Sequence, residues 1–195
     1  KTVASDTYHA LDQVSDVKSL FMECSNLESV PGDLFSEVKA TDFNSVFFGC
    51  SSLAQIPDGL FDNNTAVTSF VSVFKGTSIK TVPEGLFDKN TEVQTFESAF
   101  ADCSALESVP AGLFKNNTKV TSFNSTFSGS GLKTIPANLF ATNTRVTDFN
   151  SVFYESSLEE IPAGLFASNG AVETFESAFN RTLITQIPAG LFDGA

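Results

Sequence analysis

Leu106-Glu107-Ser108-Val109-Pro110-Ala111-Gly112-Leu113-Phe114-Lys115-Asn116-Asn117-Thr118-Lys119-Val120-Thr121-Ser122-Phe123-Asn124-Ser125-Thr126-Phe127 is a phrase that returns along almost the whole chain. Each copy reads as one turn of a solenoid. All the prolines belong to it: Pro31, Pro57, Pro83, Pro110, Pro136, Pro162 and Pro188, spaced 26, 26, 27, 26, 26 and 26 residues apart. A period in this range marks stacked repeats, each burying its apolar face against its neighbours.

Outward from that phrase, the apolar residues fall into columns. The first holds Val17, Phe43, Phe70, Phe96, Phe123, Phe149 and Phe175, and the second, four residues on, Phe21, Phe47, Phe74, Phe100, Phe127, Phe153 and Phe179. A third holds Phe35, Phe61, Phe87, Phe114, Phe140, Phe166 and Phe192, so 20 of the 21 phenylalanines are columnar and only Phe48 is not. Each fully buried side chain of this kind contributes roughly 1.5–3 kcal/mol, which offsets the cost of ordering its coil. These rings read as core rather than as a ligand platform.

Aliphatic columns fill the gaps. Leu27, Leu53, Ile79, Leu106, Leu132, Leu158 and Ile184 are each followed three residues later by Val30, Ile56, Val82, Val109, Ile135, Ile161 or Ile187, just before the proline. A branched residue closed by proline suits a strand that ends at once, because proline removes a ladder donor. Leu-x-x-Ile-Pro is therefore expected to be one short parallel strand per coil, with coils stacked roughly 4.8 Å apart. Two residues after each proline stand Asp33, Gly59, Gly85, Gly112, Asn138, Gly164 and Gly190, residues that tolerate positive φ, which predicts a left-handed turn position. Asn64, Asn90, Asn117, Asn143 and Asn169 make a further column, suited to bonding backbone between coils or capping the next segment. Val67, Val93, Val120, Val146 and Val172 precede the first phenylalanine by three, a spacing that predicts an extended start turning into about one helical turn around Phe-x-Ser-x-Phe.

Residues 1–16 do not fit the repeat. Tyr8, Leu11, Val14 and Val17 fall three apart, which predicts a helical cap over the first coil with Asp6 as its N-cap, the alternative being a disordered leader. Residues 17–195 form the solenoid as one domain. The chain stops at Asp193-Gly194-Ala195 in mid-coil; an uncapped last coil implies a shortened chain, a further segment or end-to-end association.

Composition narrows the function. A formal charge of −12 and a pI near 4.3 oppose phosphate backbones and anionic membranes, so nucleic acid is not an expected partner. No apolar run approaches a transmembrane length and no basic-then-apolar leader opens the chain. Ser19, Ser45, Ser72, Ser98, Ser125, Ser151 and Ser177 align in every coil. A serine nucleophile needs a neighbouring base, and the sole histidine, His9, precedes the array, so this column reads as hydroxyls satisfying backbone at a fixed turn. Cys24, Cys50 and Cys103 share a column with Thr77, Ser130, Ser156 and Thr182, and each cysteine goes with a corner one residue longer. Cys24 and Cys50 are spaced compatibly with a disulfide, while buried thiols are the simpler reading. No ligand set for a metal aligns, and no cofactor is expected. The acceptor pattern for N-glycosylation occurs at Asn63, Asn116, Asn124 and Asn180, three of them products of the repeat columns.

Phe43-x-Ser45-x-Phe47-x-Gly49-Cys50-Ser51-Ser52-Leu53, followed by Leu60-Phe61, Asn64-Thr65-x-Val67-Thr68 and Phe70, resembles the BspA-type leucine-rich repeats of bacterial surface proteins. The branch it is most similar to is that of repeated surface lipoproteins of mycoplasmas and gut bacteria. The likeness covers residues 17–192. It departs from that branch in having Ile-Pro-x-Gly-Leu-Phe, a step closer to ordinary extracellular leucine-rich repeats. The resemblance implies an α/β solenoid in a right-handed superhelix of about seven 26-residue coils. It also implies an extracellular or cell-surface location and adhesion to, or binding of, host or matrix proteins, without catalytic residues.

Since every repeated column has a structural use, recognition is left to the variable outward positions. Flanking the expected strand, Glu28, Ala54, Lys80, Glu107, Lys133, Glu159 and Thr185 form one row. Ser29, Gln55, Thr81, Ser108, Thr134, Glu160 and Gln186 form the next. Within them Glu28, Lys80, Glu107, Lys133, Glu159, Thr81, Ser108, Thr134 and Glu160 are the candidate ligand face for a protein partner. Two alternatives stand beside a protein-binding solenoid: a glycan-binding module, for which only Tyr8, Tyr154 and Phe48 supply rings outside the core, and a passive stalk.

Overall fold

A computed structural model describes residues 13–195. Its core is the set of phenylalanine columns. From Phe35 to Phe166 every columnar ring is fully buried. Rings of the second column stack at centroid distances from 5.6 Å (Phe21–Phe47) to 5.8 Å (Phe127–Phe153), and those of the third from 6.0 Å (Phe35–Phe61) to 6.3 Å (Phe87–Phe114). The first column wedges against the third, as where Phe96 meets Phe114 at 4.7 Å and 48°. Offset stacks and tilted pairs are the arrangements that the ring quadrupole favours.

The backbone around these rings is not strand and helix, as expected, but a ribbon of consecutive turns tied coil to coil. Residues 43–50 show how every N–H is used. Phe43, Ser45, Phe47 and Gly49 donate to the next coil, to Ser69 O (3.0 Å), Val71 O (2.8 Å), Val73 O (3.0 Å) and Lys75 O (2.8 Å). Between them Val46, Phe48 and Cys50 close turns within the coil on Phe43 O, Ser45 O and Phe47 O. The remaining donor, Asn44 N–H, goes to Asp42 Oδ1 at 2.9 Å, and Thr95, Ser122, Asp148 and Thr174 serve their coils in the same way.

This alternation needs a left-handed residue at each aligned serine, and Ser19, Ser45, Ser72, Ser98, Ser125, Ser151 and Ser177 all have φ between 53° and 58°. The predicted helical turn is therefore absent; among the described residues there is no helix. The left-handed residue also interrupts extended backbone. The parallel pairing that runs from Asp42 through Ser69, Thr95, Ser122 and Asp148 to Thr174 consists of isolated bridges.

The expected strand at Leu-x-x-Ile-Pro is corrected as well: the one bridge there is Thr81 with Ser108. Proline withholds its N–H and a turn comes at once, as where Leu113 N–H closes on Pro110 O at 3.1 Å, so no second rung can form. The predicted left-handed position after the proline holds at Gly59, Gly85, Gly164 and Gly190, with φ from 70° to 74°, and not at Asp33, Gly112 or Asn138. Both forms close the same turn, since type I dispenses with the positive φ that type II requires.

The asparagine column bonds between coils. Asn117 Nδ2 donates to Phe87 O (3.1 Å) and Asn90 O (2.9 Å), and Asn64, Asn90, Asn143 and Asn169 repeat the pattern. Asn64 through Asn169 are all buried. Of the proposed cap, Asp6, Tyr8, His9 and Leu11 lie outside the described residues. Residues 14–17 are not helical, and Val14 packs on the core with its carbonyl accepting Lys39 N–H at 3.0 Å.

The core and the asparagine column can each be tested by stability. Phe114 touches Phe87, Phe96, Phe123, Phe127 and Phe140, whereas Phe192 is 48% exposed. Phe114→Ala should cost about 3–5 kcal/mol in urea denaturation, and Phe192→Ala less than about 1.5 kcal/mol; equal costs would refute the stacked core. Asn117→Ala strands two buried carbonyls and should cost about 2–4 kcal/mol, against an effect within about 0.5 kcal/mol for the exposed neighbour Asn116→Ala.

Candidate functional site

The candidate face is created by the core beneath it. In the stretch from Leu106 to Val109 the two aliphatic ends are turned inward, 0% and 7% exposed, which leaves Glu107 and Ser108 facing solvent. Every coil repeats this, so the outward pairs line up as two rows along the array. All nine candidate residues are exposed: Glu28, Lys80, Glu107, Lys133 and Glu159 in one row, Thr81, Ser108, Thr134 and Glu160 in the other. Ala54 and Ser29, which complete the rows at one end, are partly buried.

Backbone bonds fix the spacing of the rows where they occur. Glu107 N–H donates to Lys80 O at 2.8 Å and Glu159 N–H to Lys133 O at 2.9 Å. Lys133 Nζ lies 2.9 Å from Glu159 Oε1, and that carboxylate, by hydrogen bond and by charge, raises the lysine above its ordinary pKa. The face thus alternates in sign from coil to coil: Lys80, Glu107, Lys133, Glu159. At its far end the rows border a cleft of about 280 Å³ lined by Glu159, Glu160, Ile161, Thr185, Gln186 and Pro188. Chemically, the face offers charged and hydroxyl groups in a fixed linear pattern.

The residues that might suggest catalysis are occupied otherwise. Ser125 Oγ donates to Asn124 Oδ1 (2.8 Å) and Ser151 Oγ to Asn150 Oδ1 (2.7 Å), at the left-handed turn position described above. Among the described residues, no group of three or more His, Cys, Asp and Glu is gathered to hold a metal ion, and no helix is long and apolar enough to cross a membrane. The two described rings outside the core are each faced by a cation. Lys75 Nζ is 5.9 Å from the Phe48 centroid and the Arg181 guanidinium 5.8 Å from that of Tyr154.

These cations are held in turn, Lys75 by Asp102 at 3.6 Å and Arg181 by Glu155, whose carboxylate is thereby lowered in pKa. Reasoning from sequence missed this edge. Its signal was the recurrence of ring and cation 27 residues apart, Phe48 with Lys75 and Tyr154 with Arg181.

Comparison with known proteins bears on this geometry through fold alone. No protein-family model matches the chain, and no curated protein matches it. The Toll–Spatzle complex from Drosophila contains a chain that superposes on 89% of this one with a TM-score of 0.58 at 23% identity. The LRIM1/APL1C complex contains one that covers 81% with a TM-score of 0.54 at 15% identity. The fold is a leucine-rich-repeat-like solenoid. A leucine-rich repeat protein from Bacteroides ovatus also aligns, over 76% of the chain at 25% identity, but with a TM-score of 0.36, too loose to argue from. The solenoid spans 23% and 26% of the length of the first two chains.

All three thiols are free, Cys50 and Cys103 buried and Cys24 exposed, which corrects the expectation of burial for Cys24. Burial pushes the Cys50 and Cys103 thiols up to about 11. At neutral pH, with the chain reduced, Cys24 should therefore react with a chromogenic disulfide reagent at least about tenfold faster than the other two, because only a thiolate attacks. Equal rates at the three sites would contradict the burial of the column.

Proposed function

We propose that the chain is a non-enzymatic protein-binding solenoid of the BspA type that works at the cell surface. In this reading residues 17–195 form a right-handed superhelix of about seven coils, with residues 1–16 as its cap. The ligand face is the double row of Glu28, Lys80, Glu107, Lys133, Glu159, Thr81, Ser108, Thr134 and Glu160. The observation that carries the reading is that these side chains are exposed in consecutive coils while the columns beneath them are consumed by core packing. Solenoids present such rows as extended binding surfaces. The fold neighbours support a protein ligand, since the Toll structure is a complex with Spatzle and the second pairs LRIM1 with APL1C. A host or matrix protein is the proposed partner and adhesion the proposed outcome. The cations seated over Phe48 and Tyr154 disfavour the glycan reading, which needs open ring faces.

The test is capture of extracellular-matrix and serum proteins by the intact chain and by a variant carrying Lys80→Glu, Glu107→Lys, Lys133→Glu and Glu159→Lys. A partner bound by the first and weakened at least about tenfold in the second, with unchanged thermal unfolding, is the expected result; each disrupted pair at a binding centre costs roughly 1–3 kcal/mol. Equal capture by both would show that the ligand binds elsewhere on the solenoid, and no capture by either would leave the stalk as the better account.

A further inference from the structure

The small-residue column holds a pair of thiols in adjacent coils, Cys24 and Cys50, that lie in register. On one side of them Glu23 N–H donates to Phe48 O, and on the other Ser51 Oγ reaches Ser25 O at 3.5 Å. Between these ties, Phe21 O accepts both Cys24 N–H at 3.0 Å and the Cys50 thiol at 3.1 Å.

The same column repeats this arrangement further along and supplies a scale. The Cys103 thiol donates to Phe74 O at 3.1 Å, the carbonyl that also takes Thr77 N–H at 3.2 Å and the Thr77 hydroxyl at 2.8 Å. Thr77 Oγ1 and Cys103 Sγ are 3.4 Å apart. A Cys24 sulfur rotated to the equivalent of the threonine hydroxyl stands at that distance from Cys50 Sγ. In-register neighbouring backbones run roughly 4.8 Å apart, inside the separation of about 4.4–6.8 Å that a disulfide spans. Cys103 has no such partner, because its column neighbours are Thr77 and Ser130.

We propose that Cys24 and Cys50 are a disulfide-forming pair that fastens the first described coil to the next, oxidised by a low-molecular-weight disulfide such as oxidised glutathione. Cys24, the exposed thiol, attacks first. Its thiolate bonds to one glutathione sulfur, the glutathione S–S bond breaks, and one glutathione thiolate leaves. The Cys50 thiolate then attacks Cys24 Sγ and expels the second glutathione. Two electrons pass from the cysteines to the oxidant, and the two thiol protons end on the two glutathiones. Burial raises the Cys50 thiol to about 11, so the second step accelerates as pH rises. The bond falls where the array is least covered, beside Leu20 and Met22, 51% and 42% exposed. Such a crosslink limits the opening of a marginal unit.

The test uses the reduced, folded chain incubated with oxidised glutathione, with intact mass, peptide mapping and hydrogen exchange as readouts. The expected product has lost two hydrogens and gained no glutathione, yields a linked Cys24–Cys50 peptide and keeps Cys103 free. Cys50→Ser should instead retain glutathione on Cys24, and Cys24→Ser, altered at an exposed position, should form no intramolecular bond. Exchange at the Phe21 and Leu27 amides should slow at least about tenfold on oxidation in the unaltered chain and not in Cys24→Ser. A stable glutathione adduct on Cys24 with Cys50 still reduced, or a bond between two chains, would overturn the pairing. Unchanged exchange after the bond has formed would overturn its fastening role.

Discussion

The rest of the structure depends on the alternation of bonds along the Phe-x-Ser-x-Phe ribbon: one N–H to the next coil, the following one back within its own. Because Phe43, Ser45, Phe47 and Gly49 must each find a carbonyl in the neighbouring coil, the ribbons of successive coils cannot slip past one another by a single residue. A slip would exchange inward phenylalanines for outward positions and break both sets of bonds at once. The ring stacks and the ladder therefore enforce the same register. Packing chooses which residues face inward, and hydrogen bonding keeps each ring above its counterpart.

The corners absorb what the ribbon cannot. Where the column residue is cysteine the corner is one residue longer, and it closes on itself: Leu27, Leu53 and Leu106 N–H donate to Cys24, Cys50 and Cys103 O. Where it is threonine or serine the corner is shorter and reaches across instead, as Ser78 N–H does to Leu53 O and Ser157 N–H to Ser130 O. The other corner compensates in the second coil, where Phe35 and Phe43 stand eight apart, against nine for Phe61 and Phe70. At that shortened corner Val38 replaces the asparagine, and its carbonyl still accepts Asn64 Nδ2 at 3.0 Å. Length variation is thus confined to places where a backbone group can be satisfied in either of two ways.

Columns were legible in the sequence because burial and side-chain bonding repeat with the residue types: the phenylalanines, the Leu and Ile pairs, and the asparagines whose amides bond between coils. The outward rows could be read for the same reason, as the positions left between two inward aliphatics. Backbone state was harder to read. Val-Thr-x-Phe and Leu-x-x-Ile-Pro both have strand composition, yet an interrupting left-handed serine and a proline hold each to isolated bridges. Serine carries no strong local preference for positive φ. It adopts that state here because ladder bonds to the next coil over-determine it, an influence arising 25–27 residues away. The exposure of Cys24 was likewise hidden, since the column contains Cys103, which is fully buried.

The division of labour bears on where specificity can change. The ribbon carries most of the coil-to-coil hydrogen bonds, whereas the Leu-x-x-Ile-Pro segment is joined to its neighbours at few points, among them Glu107 with Lys80 and Glu159 with Lys133. Its stability rests on the inward Leu and Ile side chains. Glu107 and Ser108 lie between those anchors and contribute to the fold chiefly through backbone, so altering their charge leaves core and ladder in place. An exposed ion pair such as Lys133–Glu159 adds no more than about 1 kcal/mol. The two rows are consequently the positions at which a repeat of this kind can vary its surface while keeping its register, which is the physical condition for a solenoid to acquire new partners without losing its fold.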